Sequence, residues 1–266
     1  MNESTKVLVI AETGSCWLHI RGNNAYRAAL KMIRLAHEAG ADAVKFQWVS
    51  DAEQMAARRK LAKSSYDYLS WPVEWHASFA EECHQLKLFY VCSIYLPQDV
   101  SAVLPYVDWY KVASLEFQAM DLIATIHSTT KPFLISNGVS SSKVSADDFR
   151  GAWANKARLL HCTAGYPCPL NEVNLRAMQM VDGFSDHTAN ILTGAVAVGA
   201  GARYIEVHYR LNETRHDCPD YNHSLGPGSL KQYIANVRLA ETLMGDGKKQ
   251  VMASEACLVK HRVIHA

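Results

Sequence analysis

The chain has 266 residues, 49% of them hydrophobic, with 27 basic and 26 acidic side chains and a net charge of +1. So even a balance gives no electrostatic case for nucleic acid or an anionic membrane, and no apolar run approaches the roughly 20 residues of a membrane span. One closed α/β barrel, which takes about 250 residues, would use nearly all of the chain.

Residues 1–5 are polar and lead straight into a strand, so no secretory leader is expected. The apolar run 6–11 predicts a strand buried on both faces, ending at Glu12. Asn23 or Asn24 then caps a helix through Ala39, and Gly40 ends it. The second strand, 42–47, carries Lys45 and Gln47. A polar stretch at about 50–70 predicts a long loop over the barrel mouth, its cluster Arg58, Arg59 and Lys60 forming a solvated face. A helix over 71–86, with Pro72 in its first turn, leads to a strand over 88–93. A short helix at 97–104, a strand at 108–113 and a helix at 120–127 follow. The fifth strand, 132–136, is ended by Asn137 and Gly138, and the sixth spans 157–162. Asn171 opens a helix to about residue 180. A strand ending near Asp186, a helix of small residues over 189–201 and a strand ending near His208 make one β-α-β unit. A closing helix covers 228–243, before a tail at about 246–266. Eight strands alternating with helices predict a single (β/α)8 TIM barrel over 1–266. The seven cysteines are odd in number and mostly fall in strands and helices, as expected of reduced thiols in a cytoplasm.

Active sites of this fold lie at the carboxyl ends of the strands. The polar residues there are Glu12, Lys45, Gln47, Ser93, Lys111, Ser114, Glu116, Ser136, Asn137, His161, Thr163, Ser185, Asp186, His187, Glu206 and His208. Lysine is rarely buried without a partner. Singly, Lys45 and Lys111 read as ion pairs with Glu12 or Glu116; together with several hydroxyls they describe a pocket for phosphate plus carboxylate. His187 and His208 end adjacent strands, which lie about 4.8 Å apart, and so can reach one ion or one substrate oxygen. Each alone would be a helix cap or a satisfied strand end. Imidazoles suit first-row divalent ions, and two of them leave positions open for water and a substrate oxygen. No Cys-x-x-Cys or His-Glu-x-x-His spacing occurs, so a closed structural zinc site is not expected.

These stretches resemble the sialic acid synthase family. The resemblance is carried by Ile10-Ala11-Glu12 with Gly14, by the run from Ala39 to Gln47, and by Tyr110-Lys111-Val112-Ala113-Ser114 with Glu116. It continues through Lys131-Pro132, Ser136 with Gly138, Leu160-His161-Cys162-Thr163, Tyr166-Pro167 and Val173-Asn174-Leu175. Ser185-Asp186-His187-Thr188, Gly199-Ala200, Glu206 with His208, Pro219-Asp220, and Ser224-Leu225 with Pro227 complete it, in order, over about 7–245.

The resemblance implies a TIM barrel that condenses phosphoenolpyruvate with an aldehyde sugar, giving a 2-keto-3-deoxy acid and phosphate. It implies a divalent metal on His187 and His208, Mn foremost, with Mg, Co or Zn as alternatives. It places phosphate and carboxylate on Lys45, Ser93, Lys111, Ser136 and Ser185. Gln47, Ser114, Asn137, His161 and Thr163 join the substrate mouth, and Glu12, Glu116 and Asp220 match positions at the reacting centre and acceptor. Glu12 or Glu116 is the candidate to move a water proton. The chain departs from the family's pattern at Cys16-Trp17, Ser93, Asn137 and Tyr221. The family's antifreeze-like domain, which lends an Arg to a partner subunit's acceptor site, lies outside the match, so the barrel alone is expected here. A homodimer is compatible with the resemblance. Cys16-Trp17 and the missing domain point to an acceptor other than N-acetylmannosamine. A metal-dependent aldolase acting on pyruvate, or a barrel that binds sugar without catalysis, are the alternative readings.

Overall fold

Strand order decides what the mouth contains. A computed structural model describes residues 6–20, 24–140, 153 and 155–263. Asn23, the polar start at 1–5 and the last three residues of the tail lie outside the described residues. Eight parallel strands close in sequence order: β1 (Leu8–Glu12), β2 (Ala43–Gln47), β3 (Phe89–Ser93), β4 (Trp109–Val112), β5 (Phe133–Ser136), β6 (Ala157–Cys162), β7 (Gly183–Asp186) and β8 (Tyr204–His208). Closure is made by β1 on β8, with Leu8 beside Tyr204 and Glu12 beside His208. This is the expected (β/α)8 barrel. At Gly183 an added Cβ would meet the Tyr204 carbonyl at 2.2 Å, so only glycine fits where β7 approaches β8.

Seven α-helices are described: α1 (Ala25–Ala39), α2 (Ala52–Arg59), α3 (Trp75–Gln85), α4 (Asp99–Val103), α5 (Met120–Ser128), α6 (Thr193–Gly199) and α7 (Pro227–Met244). The Asn24 side chain caps α1 by accepting from the Arg27 N–H at 3.0 Å. Ala28, Ala29, Met32, Ile33 and Ala36 form the buried face of α1, at the spacing of one helical stripe.

Four expectations change. The stretch 50–70 is a helix and two 3-10 turns, not a loop: Asp51 caps α2 through the Glu53 and Gln54 N–H groups, both at 2.9 Å. Ala52, Met55 and Ala56 bury one face of α2 in a small core with Val49, Tyr66, Leu69, Tyr95 and Leu96. Pro72 lies ahead of α3, because Trp71 is tied to the end of β2, its indole N–H donating to the Gln47 carbonyl at 3.0 Å. The expected helix at 171–180 is instead two 3-10 turns, Leu170–Glu172 and Leu175–Met180, separated where Asn174 takes a left-handed conformation at φ 46. The helix after β7 is also short, since Thr188 and Asn190 spend their side chains on turn hydrogen bonds before Thr193.

Alternation along the strands positions the site. Ile10, Ala43, Val91, Leu134 and Leu160 fill the barrel interior, with Leu8, Trp109 and Tyr204 packed against them. Two residues onward, on the same side of each strand, the side chains become Glu12, Lys45, Ser93, Lys111, Ser136, Cys162, Ser185 and Glu206. A polar ring therefore stands on an apolar plug.

Outside the barrel, His76 on α3 is fully buried, and its Nδ1 is 2.7 Å from the Tyr90 hydroxyl. Burial holds its pKa at about 3, below the ordinary 6.5. A lowered folded-state pKa contributes stability that is complete above the unfolded value and is lost as pH falls from 6.5 toward 3. In His76→Phe, the slope of unfolding free energy against pH in this window should shrink by up to about 1.4 kcal/mol per pH unit. Urea unfolding at several pH values checks it; an unchanged slope would show that His76 is not the titrating group.

Candidate active site

The mouth holds a cavity of about 320 Å³ at the carboxyl ends of the strands. Its floor is the polar ring. Lys45 Nζ forms an ion pair with Glu12 and donates to Ser93 Oγ at 2.8 Å. Lys111 Nζ donates to Ser136 Oγ at 2.7 Å and to the Val112 carbonyl at 3.2 Å. Glu206 stands between the two lysines, 3.8 Å from Lys45 and 3.7 Å from Lys111, and accepts from Ser185 Oγ at 2.8 Å. Ser93 and Ser136 accept from the lysines, which leaves each hydroxyl proton for a ligand. Burial opposes the charge on Lys45, but Glu12 and Glu206 outweigh it and hold its pKa above the ordinary value. Around Lys111 burial outweighs the more distant Glu206 and lowers the pKa. Burial also opposes ionisation of Glu206, yet Lys111 and Lys45 hold it at about 2.

Expected ion pairs are partly re-partnered. Lys45 does pair with Glu12, while the carboxylate beside Lys111 is Glu206 rather than Glu116. Glu12 is fully buried below the floor, where its Oε1 accepts from Gly14 N at 2.9 Å and Gln47 Nε2 at 2.8 Å. Glu116 is held by Arg59, whose Nε and Nη2 reach it at 2.9 and 2.6 Å. Neither carboxylate lines the cavity, whereas Glu206 and Asp220 do. The basic cluster divides: Arg58, paired with Asp121 at 2.7 Å, and Lys60 are exposed as expected, but Arg59 is a wall of the mouth beside the rings of Tyr66 and Tyr95.

Of the other expected residues, Gln47, Ser93, Ser114, Ser136 and Ser185 line the cavity. Gly138 is needed beside Ser114, since a Cβ there would meet Ser114 Oγ at 2.6 Å. Asn137, His161 and Thr163 do not line it. His161 faces the opposite side of β6, with Nε2 2.7 Å from the Val173 carbonyl and its ring stacked on Phe184. Thr163 acts through its backbone: its carbonyl accepts from His187 Nδ1 at 3.0 Å. Cys16 and Trp17 turn away from the mouth, Trp17 being buried against Phe46, Trp71 and Phe79.

His187 and His208 come together as expected, with ring centroids 5.3 Å apart. Burial holds His187 at about 4, and it lowers His208 well below the ordinary value, so both imidazoles are neutral and can act as ligands. His208 Nδ1 is buried with no hydrogen-bond partner, an orphan that a metal would satisfy. A divalent ion fits this donor set.

Glu206 lines the mouth as its place at a strand end predicts, two residues before His208 on the same face of β8. Unforeseen polar residues there are Arg59, Tyr68, Tyr95, Tyr166 and His223, beside Leu115. Arg59 was legible, because it follows Ala52, Met55 and Ala56 at helical spacing. The three tyrosines come from separate loops and leave no local pattern.

Residues 32–249 match the NeuB family. The chain belongs to the NeuB family. It is a sialic acid synthase-like enzyme. The chain is 29% identical to the N,N'-diacetyllegionaminic acid synthase of Legionella pneumophila, over 95% of this chain and 77% of that one. It is 27% identical to human N-acetylneuraminate-9-phosphate synthase, over 86% of this chain and 70% of that one. In fold it is similar to the N-acetylneuraminic acid synthetase of Leptospira borgpetersenii, at a TM-score of 0.84 and 23% identity, covering 97% of this chain and 91% of that one. The NeuB match takes in β2 to β8 and the segment bearing Asp220 and His223, and so nearly the whole mouth.

Proposed function

We propose that the mouth condenses phosphoenolpyruvate with an aldehyde sugar, giving a 2-keto-3-deoxy acid of the sialic acid type and phosphate. The floor carries this reading: two buried ammonium groups, each bonded to a serine hydroxyl, lie beneath a histidine pair in a NeuB chain. Lys45, Lys111, Ser93, Ser136 and Ser185 would take the phosphate and carboxylate. His187 and His208 would hold a divalent metal, which when bound polarises a carbonyl oxygen as a Lewis acid.

The remaining steps fall to the chain's own groups. A carbon–carbon bond forms between the methylene carbon of phosphoenolpyruvate and the aldehyde carbon, whose oxygen takes a proton. Water bonds to the carbon that bears phosphate and loses a proton. The new hydroxyl then gives its proton to the phosphate as the carbon–oxygen bond to phosphate breaks, leaving the ketone and hydrogen phosphate, while Lys45 and Lys111 stabilise the departing charge. Glu206 faces the cavity and is the base we assign to the water proton, in place of Glu12 and Glu116. A bound anion beside Lys45 and Lys111 sets negative charge next to Glu206 and raises its pKa, making it a better proton acceptor in the complex than alone. Asp220 supports the acceptor side, and the rim of Arg59, Tyr68, Tyr95 and Tyr166 selects the sugar. The free thiols, all seven of them, favour a reducing compartment, the cytoplasm.

The test supplies the protein with Mn²⁺, phosphoenolpyruvate and a panel of aldehyde sugars that includes N-acetylmannosamine, with free phosphate and 2-keto acid measured together. Phosphate release that needs both substrates is the expected result, and the panel shows which sugar is preferred. Condensation of pyruvate, without phosphate release, would instead make the protein an aldolase.

A further inference from the structure

We propose that His223 is a third metal ligand, so that the mouth holds a three-histidine site of His187, His208 and His223 oriented by Asp220. The inference rests on the reading that His187 and His208 hold a metal. It adds a ligand and a preference: three imidazoles select a later first-row ion such as Zn²⁺ or Co²⁺ over Mn²⁺ or Mg²⁺, which suit oxygen ligands.

His223 ends the 3-10 turn Tyr221–His223 and is 2% exposed. Its Nε2 lies 2.9 Å from Asp220 Oδ1. An ionised carboxylate only accepts, so Nε2 carries the proton and Nδ1 carries the lone pair. That Nδ1 is buried with no partner, as is Nδ1 of His208. An orphaned buried polar atom costs about 1–3 kcal/mol, and two in contacting rings share one remedy. Among the described residues, one donor atom from each of His208, Asp220 and His223 lies within 4.8 Å of the others, a group that takes in Asp220 and does not itself include His187. The His208 and His223 ring centroids are 4.7 Å apart, and those of His187 and His223 are 6.1 Å apart.

The tautomers agree with this. His187 donates Nδ1–H to the Thr163 carbonyl at 3.0 Å, which leaves its Nε2 as the lone-pair nitrogen. His223 is fixed in the opposite sense by Asp220, the carboxylate–histidine arrangement that orients metal ligands. Asp220 is itself held, accepting from the Ser15 N–H at 2.6 Å, where an added Cβ on Gly14 would intrude on Asp220 Oδ2 at 2.6 Å.

The experiment strips the full chain with a chelator and titrates Zn²⁺ and Mn²⁺ separately against an indicator, for wild type, His187→Ala, His208→Ala, His223→Ala and Asp220→Asn. Circular dichroism checks folding. Zn²⁺ affinity should fall at least about 100-fold in each histidine variant, and about 10–100-fold in Asp220→Asn, as for an outer partner. Mn²⁺ should bind wild type more weakly than Zn²⁺. X-ray absorption on Zn²⁺-loaded wild type should count three imidazoles, which keeps the test independent of variant folding. Two imidazoles, or a His223→Ala affinity equal to wild type beside weakened His187→Ala and His208→Ala, would overturn the third ligand and leave the two-histidine reading standing. No loss in any histidine variant would overturn both.

Discussion

Lys45→Met should damage both the fold and the anion site, and the two losses can be separated. Removing the ammonium leaves Glu12 fully buried with only Gly14 N and Gln47 Nε2 as partners. Breaking one side of a buried pair costs about 3–5 kcal/mol, so chemical denaturation should show a loss of that order. Lys45→Met combined with Glu12→Gln removes the orphaned charge and should recover most of the stability, because Gln47 and Gly14 can still bond an amide. Binding should not recover. A lost charge-assisted contact is worth about 1.5–3 kcal/mol, which is tenfold or more in affinity for phosphoenolpyruvate. If calorimetry on the stable double variant gives wild-type affinity, Lys45 is a structural cation and the floor is not an anion site. Lys111→Met is the gentler companion: Glu206 keeps Lys45 and Ser185, so binding should fall with less loss of stability.

His208→Ala should have the largest effect on turnover with the smallest effect on folding. Among the described residues its buried Nδ1 has no hydrogen-bond partner, which is a cost to the fold. Stability should therefore hold steady or rise slightly. Lewis-acid activation is worth several kcal/mol, so phosphate release in the two-substrate assay should fall on the order of 10³-fold. Turnover within tenfold of wild type in a folded variant would remove His208 from the machinery. His187→Ala is less clean, because it also frees the Thr163 carbonyl.

The barrel was legible because its evidence repeats: seven short apolar runs and the less apolar 181–186, each followed by a helix or turn, fix the order. Spacing puts Lys45, Ser93, Lys111, Ser136, Ser185 and Glu206 on one face, a parity that gathering every polar residue at the strand ends does not use. Pairing was harder to read. Whether Lys111 meets Glu116 or Glu206 depends on barrel closure, which brings β8 beside the interior of β4 across the mouth rather than along the chain. Arg59 was misread because a basic cluster between two polar runs looks solvated; the Ala52, Met55, Ala56 stripe that turns Arg59 inward is only one face of a two-turn helix. His223 had no periodic context at all, and a short 3-10 turn leaves none to find. His161 was wrongly aimed for the simplest reason. It precedes Cys162, and one step along a strand reverses the face.

The contrast between floor and rim has a practical meaning for anyone wishing to redirect this catalyst to a new sugar. Glu12, Lys45, Glu206 and Lys111 form an open circuit of charge, each paired with the next in that order, so an exchange at one member is felt along the rest. Tyr166, Tyr68 and Leu115 belong to no such circuit, and Arg59 answers to Glu116 alone among the carboxylates. A library confined to those rim positions could explore acceptor shape widely while the phosphoenolpyruvate half of the reaction stays untouched, whereas a library that strays two residues down any strand would spend most of its members on unfolded protein.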